Sequence, residues 1–315
     1  MTYFIVTVDT EEAFEWGKDF RTKYIREEVS YIKELLKFQD LCDRYQVKPT
    51  YLVDYPILAN KGSLKVIKQL KKRNCELGTH LHTWCNPPFE EKISIKTTYL
   101  ENLDPKLMEK KMKNLTNRFE QTLNNSPRAF KSGRYSISDG LFEILIKQGY
   151  KVDTSLMPFT DLTPYGGSPK IITKFRPFKI KVKKGELLEI PATVGFNFNN
   201  FNFCNKNNLL IQVLKRVNII RRIRLSPEYS SVKDMKKICE IYIKKKAPIL
   251  HFQLHSSDFV MGKTPNVKNK KELINFYKSI EQIFEYAIHN KNCKSIGCSE
   301  VKITSSWDSS LQNKS

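Results

Sequence analysis

The chain lacks any apolar run near the ~20 residues that a membrane span requires, any C-x-x-C pair, and any internal repeat of solenoid period. The first absence excludes a spanning helix and the third excludes a repeat array. Its seven cysteines are odd in number and scattered, which argues against a disulfide framework or a zinc knuckle and fits reduced thiols. The opening MTYFIVTVDTEE has no basic start, no cleavable apolar core and no small-residue cleavage site. It reads as a strand that enters the fold at once, and a cytoplasmic location is expected. Acid is also scarce: 33 Asp and Glu stand against 54 Lys and Arg, a net charge of +21. Such a balance favours nucleic acid, anionic lipid head groups or phosphorylated sugars as partners. The lysines, however, are spread over most presumptive helices (KQLKKR, KKMKN, KKK), and no nucleic-acid module is recognisable. A solvated basic surface is therefore expected, with no specific nucleic acid. The exception is LKRVNIIRRIRL, residues 214–225, whose interleaved apolar and basic residues suit an amphipathic helix. That helix would either touch an anionic membrane or ligand, peripherally at the inner face, or simply be half-buried.

What is present is a rhythm. TYFIVTVD (2–9) is rich in β-branched and aromatic residues, EEVSYIKELLKFQDLCDRY (27–45) has apolar residues at helical spacing, and KPTYLVD (48–54) is strand-like again. Helical stretches at 63–73, 104–123, 138–148, 231–246 and 270–290 then precede CELGTHLH, PRAFKSG, YKVDTSL, APILHFQLHS and CKSIGCSEV. Asp104 and Ser138 are expected N-caps, with Pro105 in the first turn. The alternation predicts an α/β fold with a parallel sheet wrapped by helices. Residues 156 to about 230 break it with Pro and Gly turns, a hairpin around KVKKGELLEI and the Phe/Asn-rich 196–208, a substrate lid or a disordered stretch. We take this as an irregular insertion in a single domain spanning 1–315, with a frayed tail from about 305.

The polar residues fall where strands end. Asp9 and Glu11 end the first, Asp54 the second, His80 and His82 the third; Arg134 follows the fourth, Asp153 ends the fifth, and His255 ends LHFQLHS. In a parallel barrel these ends converge on one face. Residues i and i+2 share a face of an extended strand, so Asp9 can join Glu11, and His80 can join His82. A mononuclear hydrolytic site needs about three N or O ligands, an open position, and a base and an acid. The H-x-H pair alone fits either ligands or hydrogen-bonded loop histidines; D-x-E and a third histidine at strand ends favour a site.

Six blocks carry a resemblance. VDTEEAFEW, ELGTHLHTW, FKSGRYSI, VDTSLMP, LEIPAT and LHSSDFVMGKTP occur in this order over most of the chain, and the sequence resembles the polysaccharide deacetylase, or NodB-homology, family, in its divergent branch with D-T-E-E and H-x-H-x-W. The resemblance implies a distorted (β/α) barrel of about seven parallel strands, and hydrolysis of N-acyl groups, usually N-acetyl on amino sugars, with a divalent metal, zinc first and cobalt, nickel or manganese as substitutes. It makes Asp9 the general base, His255 the general acid, Arg134 the residue that orients the base, and Asp153 the group that holds the tautomer of His255. Glu11 stands near the family's metal carboxylate, His80 matches its first metal histidine, and His82 replaces the second. Three positions depart from the family pattern: Thr10 follows Asp9 where a second aspartate is usual, leaving Glu11 or Glu12 as the metal carboxylate; Trp84 occupies the usual second-histidine position; and Arg134 leads into Tyr135 and Ser136.

For the remaining residues two readings stand side by side. Trp84 stacks on a sugar or merely packs, as do Phe14 and Trp16; Asp54 lines the site or caps the next turn; Tyr135 is taken as substrate-binding. His251, alternating with apolar residues, is expected to be an internal hydrogen-bonded histidine, and His289 an exposed residue near a helix C-terminus. Three functions follow: a metal-dependent deacylase of an amino sugar in surface-glycan synthesis, nucleotide- or lipid-linked; a non-catalytic carbohydrate-binding relative; or a binder of polyanions or membrane surfaces.

Overall fold

A computed structural model describes residues 1–13, 28–183, 185–206 and 208–302. Phe14, Trp16 and the tail from 303 lie outside the described residues.

The core of the fold is a run of parallel strands: β1 (Tyr3–Thr10), β2 (Pro49–Val53), β3 (Glu76–Leu81), β4 (Ala129–Ser132), β5 (Val152–Asp153), β7 (Gly185–Glu189) and β10 (Ile249–His255). They lie in the order β10-β1-β2-β3-β4-β5-β7, all parallel. This is the seven-stranded parallel arrangement expected. β1 and β10 are buried on both faces almost throughout, as strands covered by helices must be. β6 (Phe178–Val182) adds an antiparallel edge by the expected hairpin with β7, and a short β11 (Lys294–Ser295) pairs with the start of β1.

Among the described residues no strand pair joins β7 to β10. That side is bridged instead by irregular backbone: the amide of Leu225 donates to the carbonyl of Thr193 at 2.9 Å, and the amide of Gln253 donates to the carbonyl of Leu225 at 3.2 Å. This open side is the distortion of the barrel.

The helices follow the apolar spacing. α4 (Pro105–Leu123) starts at Asp104, whose carboxylate accepts from the amides of Lys106 and Leu107, and stops at Asn124 in the left-handed region. α5 (Asp139–Lys147) is capped by Ser138. The expected 27–45 helix is regular only as α1 (Leu35–Arg44), behind a 3-10 turn at Ser30–Glu34. α2 (Tyr55–Ala59) and α3 (Lys61–Leu70) follow β2; α8 (Val232–Lys244) packs against α9 (Lys270–Phe284), which sets Phe284 on Phe4 of β1 and Phe252 of β10.

Two expectations fail in the insertion. Residues 214–225 are not one helix: α7 (Leu209–Arg216) ends, Asn218 turns at φ 59°, and β9 (Arg222–Arg224) pairs antiparallel with β8 (Val194–Phe196). The described part of the 196–208 stretch is not an unstructured loop. It forms α6 (Phe201–Cys204), and the Phe201 ring packs against Phe159, Phe175 and Phe196 with centroids 5.3–6.1 Å apart. No helix among the described residues is long and apolar enough to cross a membrane.

Candidate active site

Strand register assembles the site. Asp9 and His255 are register partners on β1 and β10, and His80 is the register partner of Lys131 on β3 and β4. All four side chains line a cavity of about 710 Å³ at the carboxyl ends of the strands, together with Glu11, His82, Trp84, Arg134 and Tyr135.

Glu11 lies just beyond β1 and its backbone is held on both sides. Its amide donates to Ser256 Oγ at 3.1 Å, and its carbonyl accepts from the Tyr31 hydroxyl. Its Oε2 lies 3.3 Å from His80 Nε2 and 3.4 Å from His82 Nε2, while the two Nε2 atoms are 3.1 Å apart. A tetrahedral ion with ligands at about 2.0–2.1 Å spaces them about 3.3–3.4 Å apart, so this triangle has the dimensions of three ligands and an open fourth position. Glu11 Oε1 and Asp9 Oδ1 are buried with no hydrogen-bond partner, which a bound cation would remedy. The group Glu11, His80 and His82 therefore fits a divalent metal.

The surroundings set the ligands' state. His80 Nδ1 meets the carbonyl of Lys131 at 3.0 Å, an acceptor that fixes the proton on Nδ1 and leaves the Nε2 lone pair for the site. His82 Nδ1 meets Glu12 Oε2 at 3.4 Å. Burial first, then His80, pushes His82 down to about 3, so its ring is neutral, as a ligand must be. The close approach needs Gly133: a Cβ there would lie 2.2 Å from His82 Cδ2.

Glu12 sits behind the triangle. Its Oε1 accepts from Trp84 Nε1 at 2.7 Å and its amide donates to Asp54 Oδ2 at 2.7 Å. Burial pushes Glu12 up to about 7 and Asp54 well above its usual range, where the Glu12 contact raises it further. Glu12, Asp54, His82 and Cys85 are also close enough to hold an ion, but the amide and indole donors already satisfy those oxygens. The geometry favours Glu11 over Glu12.

Two charged pairs complete the floor. Asp9 Oδ2 accepts from Lys131 Nζ at 2.5 Å and lies 3.4 Å from His255 Nε2. Burial works against its charge, but Lys131, then His80 and His255, hold Asp9 well below the carboxylate range. His255 Nδ1 bonds Glu228 Oε2 at 2.8 Å, and its amide donates to Glu228 Oε1 at 2.8 Å. Burial opposes protonation of His255, yet Glu228, then Glu11, raise it well above the ordinary histidine value. A carboxylate held ionised beside an imidazole held protonated is the arrangement of a base and an acid.

Three sequence expectations are corrected. Asp153 does not reach His255: it accepts from Ser155 Oγ at 2.6 Å and shares its buried surroundings with Glu189, and Glu228 takes the place proposed for it. Arg134 lines the cavity, but its guanidinium donates to Thr98, Tyr99 and the carbonyl of Tyr165; the cation on Asp9 is Lys131. Trp84 packs on His82, with ring centroids 4.1 Å apart, and also borders the cavity. Asp54 caps α2 through the amide of Ile57 and does not line the cavity. Tyr135 does face the cavity: Arg134 and Tyr135 both adopt left-handed backbone, φ 57° and 62°, strain that over-determined sites retain, and the Tyr135 hydroxyl accepts from Arg224 Nη2 at 2.6 Å. His251 is the internal histidine expected, between Thr7 Oγ1 at 2.9 Å and the carbonyl of Pro191 at 3.2 Å. His289 is exposed, near Glu285.

Lys131, Glu228 and Arg224 are the residues that sequence reasoning missed. Lys131 carried a faint signal, a lysine in the middle of an otherwise strand-like FKS. Glu228 carried one too, as the first acid after a long acid-free stretch.

No protein-family model and no curated protein sequence matches the chain. Solved structures do. A Pseudomonas aeruginosa protein reported as a probable polysaccharide deacetylase superposes with a TM-score of 0.55 at 12% identity, over 95% of this chain and 89% of that one. The 4-α-glucanotransferase of Thermococcus litoralis superposes with a TM-score of 0.53 at 13% identity, over 95% of this chain; the chain spans only 40% of that enzyme. The fold is thus shared with a protein reported as a probable polysaccharide deacetylase, as the motifs led us to expect. A glucanotransferase shares it, so the chemistry must be argued from the site.

Proposed function

We propose that the protein is a metal-dependent hydrolase that removes an N-acyl group, N-acetyl in the first instance, from an amino sugar. The observation that carries this reading is the Glu11, His80 and His82 triangle flanked by Asp9 on one side and the His255–Glu228 pair on the other.

Glu11, His80 and His82 would hold the ion, zinc first, with cobalt, nickel or manganese as substitutes. When bound, it supplies Lewis acidity to the amide carbonyl and lowers the pKa of water. Asp9, kept ionised by Lys131, accepts a proton from the attacking water through Oδ1. His255, kept protonated by Glu228, donates from Nε2 to the leaving amine, so acid and base act in sequence on the tetrahedral intermediate. Glu12 and Asp54 sit behind the ligands and position His82, and Trp84 packs on His82 where it also borders the cavity. A non-catalytic sugar-binding relative would need neither the orphaned carboxylate oxygens nor the opposed charge states of Asp9 and His255.

The cavity also bears on the substrate. Its acidic lining among the described residues is Asp9 and Glu11, both at the floor, whereas Arg134, Arg222 and Arg224 stand on the walls. Such walls suit a sugar carrying a phosphate or another acid, as in a nucleotide- or lipid-linked precursor of a surface glycan handled in the cytoplasm. The test is acetate release from N-acetylated sugar nucleotides and polyprenyl-linked sugars by metal-loaded protein. Release that is lost in Asp9→Asn supports the reading; equal, negligible release by both proteins on every acylated sugar contradicts it.

A further inference from the structure

One edge of the protein is unlike the rest. Of the fifteen large apolar side chains that are exposed among the described residues, seven fall between 198 and 219. Leu209 is 77% exposed, Leu210 59%, Val217 58% and Ile219 50%. At 100° per residue Leu209, Val213, Val217 and Leu210 form one stripe about 100° wide along α7, while Ile211 on the other side is buried in the core. Isolated exposed apolar residues need no explanation, but a contiguous stripe marks an interaction surface.

The charge of the segment says what covers it. Residues 190–227 contain no Asp or Glu and six Lys or Arg. Arg221 is held by Asp234 at 2.7 Å, and Arg222 and Arg224 line the cavity; Lys206, Lys215 and Arg216 remain exposed beside the apolar stripe. A second copy meeting this face across a twofold axis would bring like charges together. An apolar stripe rimmed by cations fits the boundary of an anionic bilayer, with the leucines among acyl chains and the cations at the head groups.

We propose that the α6–α7 edge docks the protein on an anionic lipid surface. The same chain runs from Ile219 at that edge to Arg222, on the cavity wall, within three residues, so docking sets the cavity mouth at the membrane. In consequence the cavity takes a sugar carried on an anionic lipid, a step that rests on the deacylase reading above; the docking itself does not.

The test is co-sedimentation of the full chain with vesicles of phosphatidylcholine alone or mixed with phosphatidylglycerol, without substrate. The expected result is binding to the mixed vesicles that salt weakens, with at least a tenfold loss of affinity in Leu210→Glu/Val213→Glu and in Lys215→Glu/Arg216→Glu. Both pairs are exposed, and their melting temperatures should match wild type. No binding to mixed vesicles, equal binding by the variants, or a concentration-dependent dimer that Leu210→Glu/Val213→Glu abolishes would each overturn the proposal. A protein that binds vesicles but deacylates nothing overturns the deacylase reading alone.

Discussion

Asp9 and His255 are register partners on neighbouring strands, and their side chains meet at 3.4 Å with opposite charges. Each keeps its charge through a second residue, Lys131 for Asp9 and Glu228 for His255.

Glu228→Gln removes the charge that keeps His255 protonated. Activity is expected to fall by about 10²–10⁴-fold, and the alkaline limb of the pH–rate profile is expected to move to lower pH, because the imidazolium loses its proton more readily. An unmoved limb would place the acid elsewhere.

Lys131 and Asp9 are both almost fully buried. Lys131→Met removes the hydrogen-bonded cation of the carboxylate and leaves His255 alone to face it; the expected cost is about 3 kcal/mol, and Asp9→Asn/Lys131→Met should recover much of it. Denaturant unfolding of the two variants checks the coupling.

Gly133→Ala drives a methyl group into His82. The expected effect is about a 10–100-fold weaker metal affinity, of the size seen when supporting groups of a metal site are disturbed, with the sheet intact by circular dichroism. Metal titration of wild type and variant measures it.

Burial, then Lys131, lowers His251 from 6.5 to about 3. Between those values the unfolded chain binds a proton that the folded chain refuses. Stability is therefore expected to fall as pH drops through 6.5 towards 3, and His251→Gln should flatten that part of the curve. Chemical unfolding at a series of pH values, in chelator, gives the comparison.

Much of the site was legible because parallel strands announce themselves by β-branched runs, and a barrel gathers whatever follows them. Asp9, Glu11, His80, His82 and His255 all reach the cavity for that reason. Lys131 and Glu228 carried only faint signals, since their partners are fixed by strand register and by a loop after β9 rather than by spacing. Arg134 and Asp153 sit at strand ends too, yet their side chains find Tyr99 and Ser155 first. The 214–225 segment misled because alternating apolar and basic residues satisfy both a period of 3.6 and a period of 2 over so short a length; the turn at Asn218 and the pairing with β8 divide it.

The deacylase reading requires that Glu11, His80 and His82 hold a metal ion. Elemental analysis of protein purified without a polyhistidine tag, in wild type, Glu11→Ala and His80→Ala, tests it most directly. The expected result is near-stoichiometric zinc or another divalent metal in wild type and its loss in both variants, with Glu12→Gln retaining it. Wild-type protein that carries no metal, and gains no thermal stability from added zinc, cobalt, nickel or manganese, would contradict the claim.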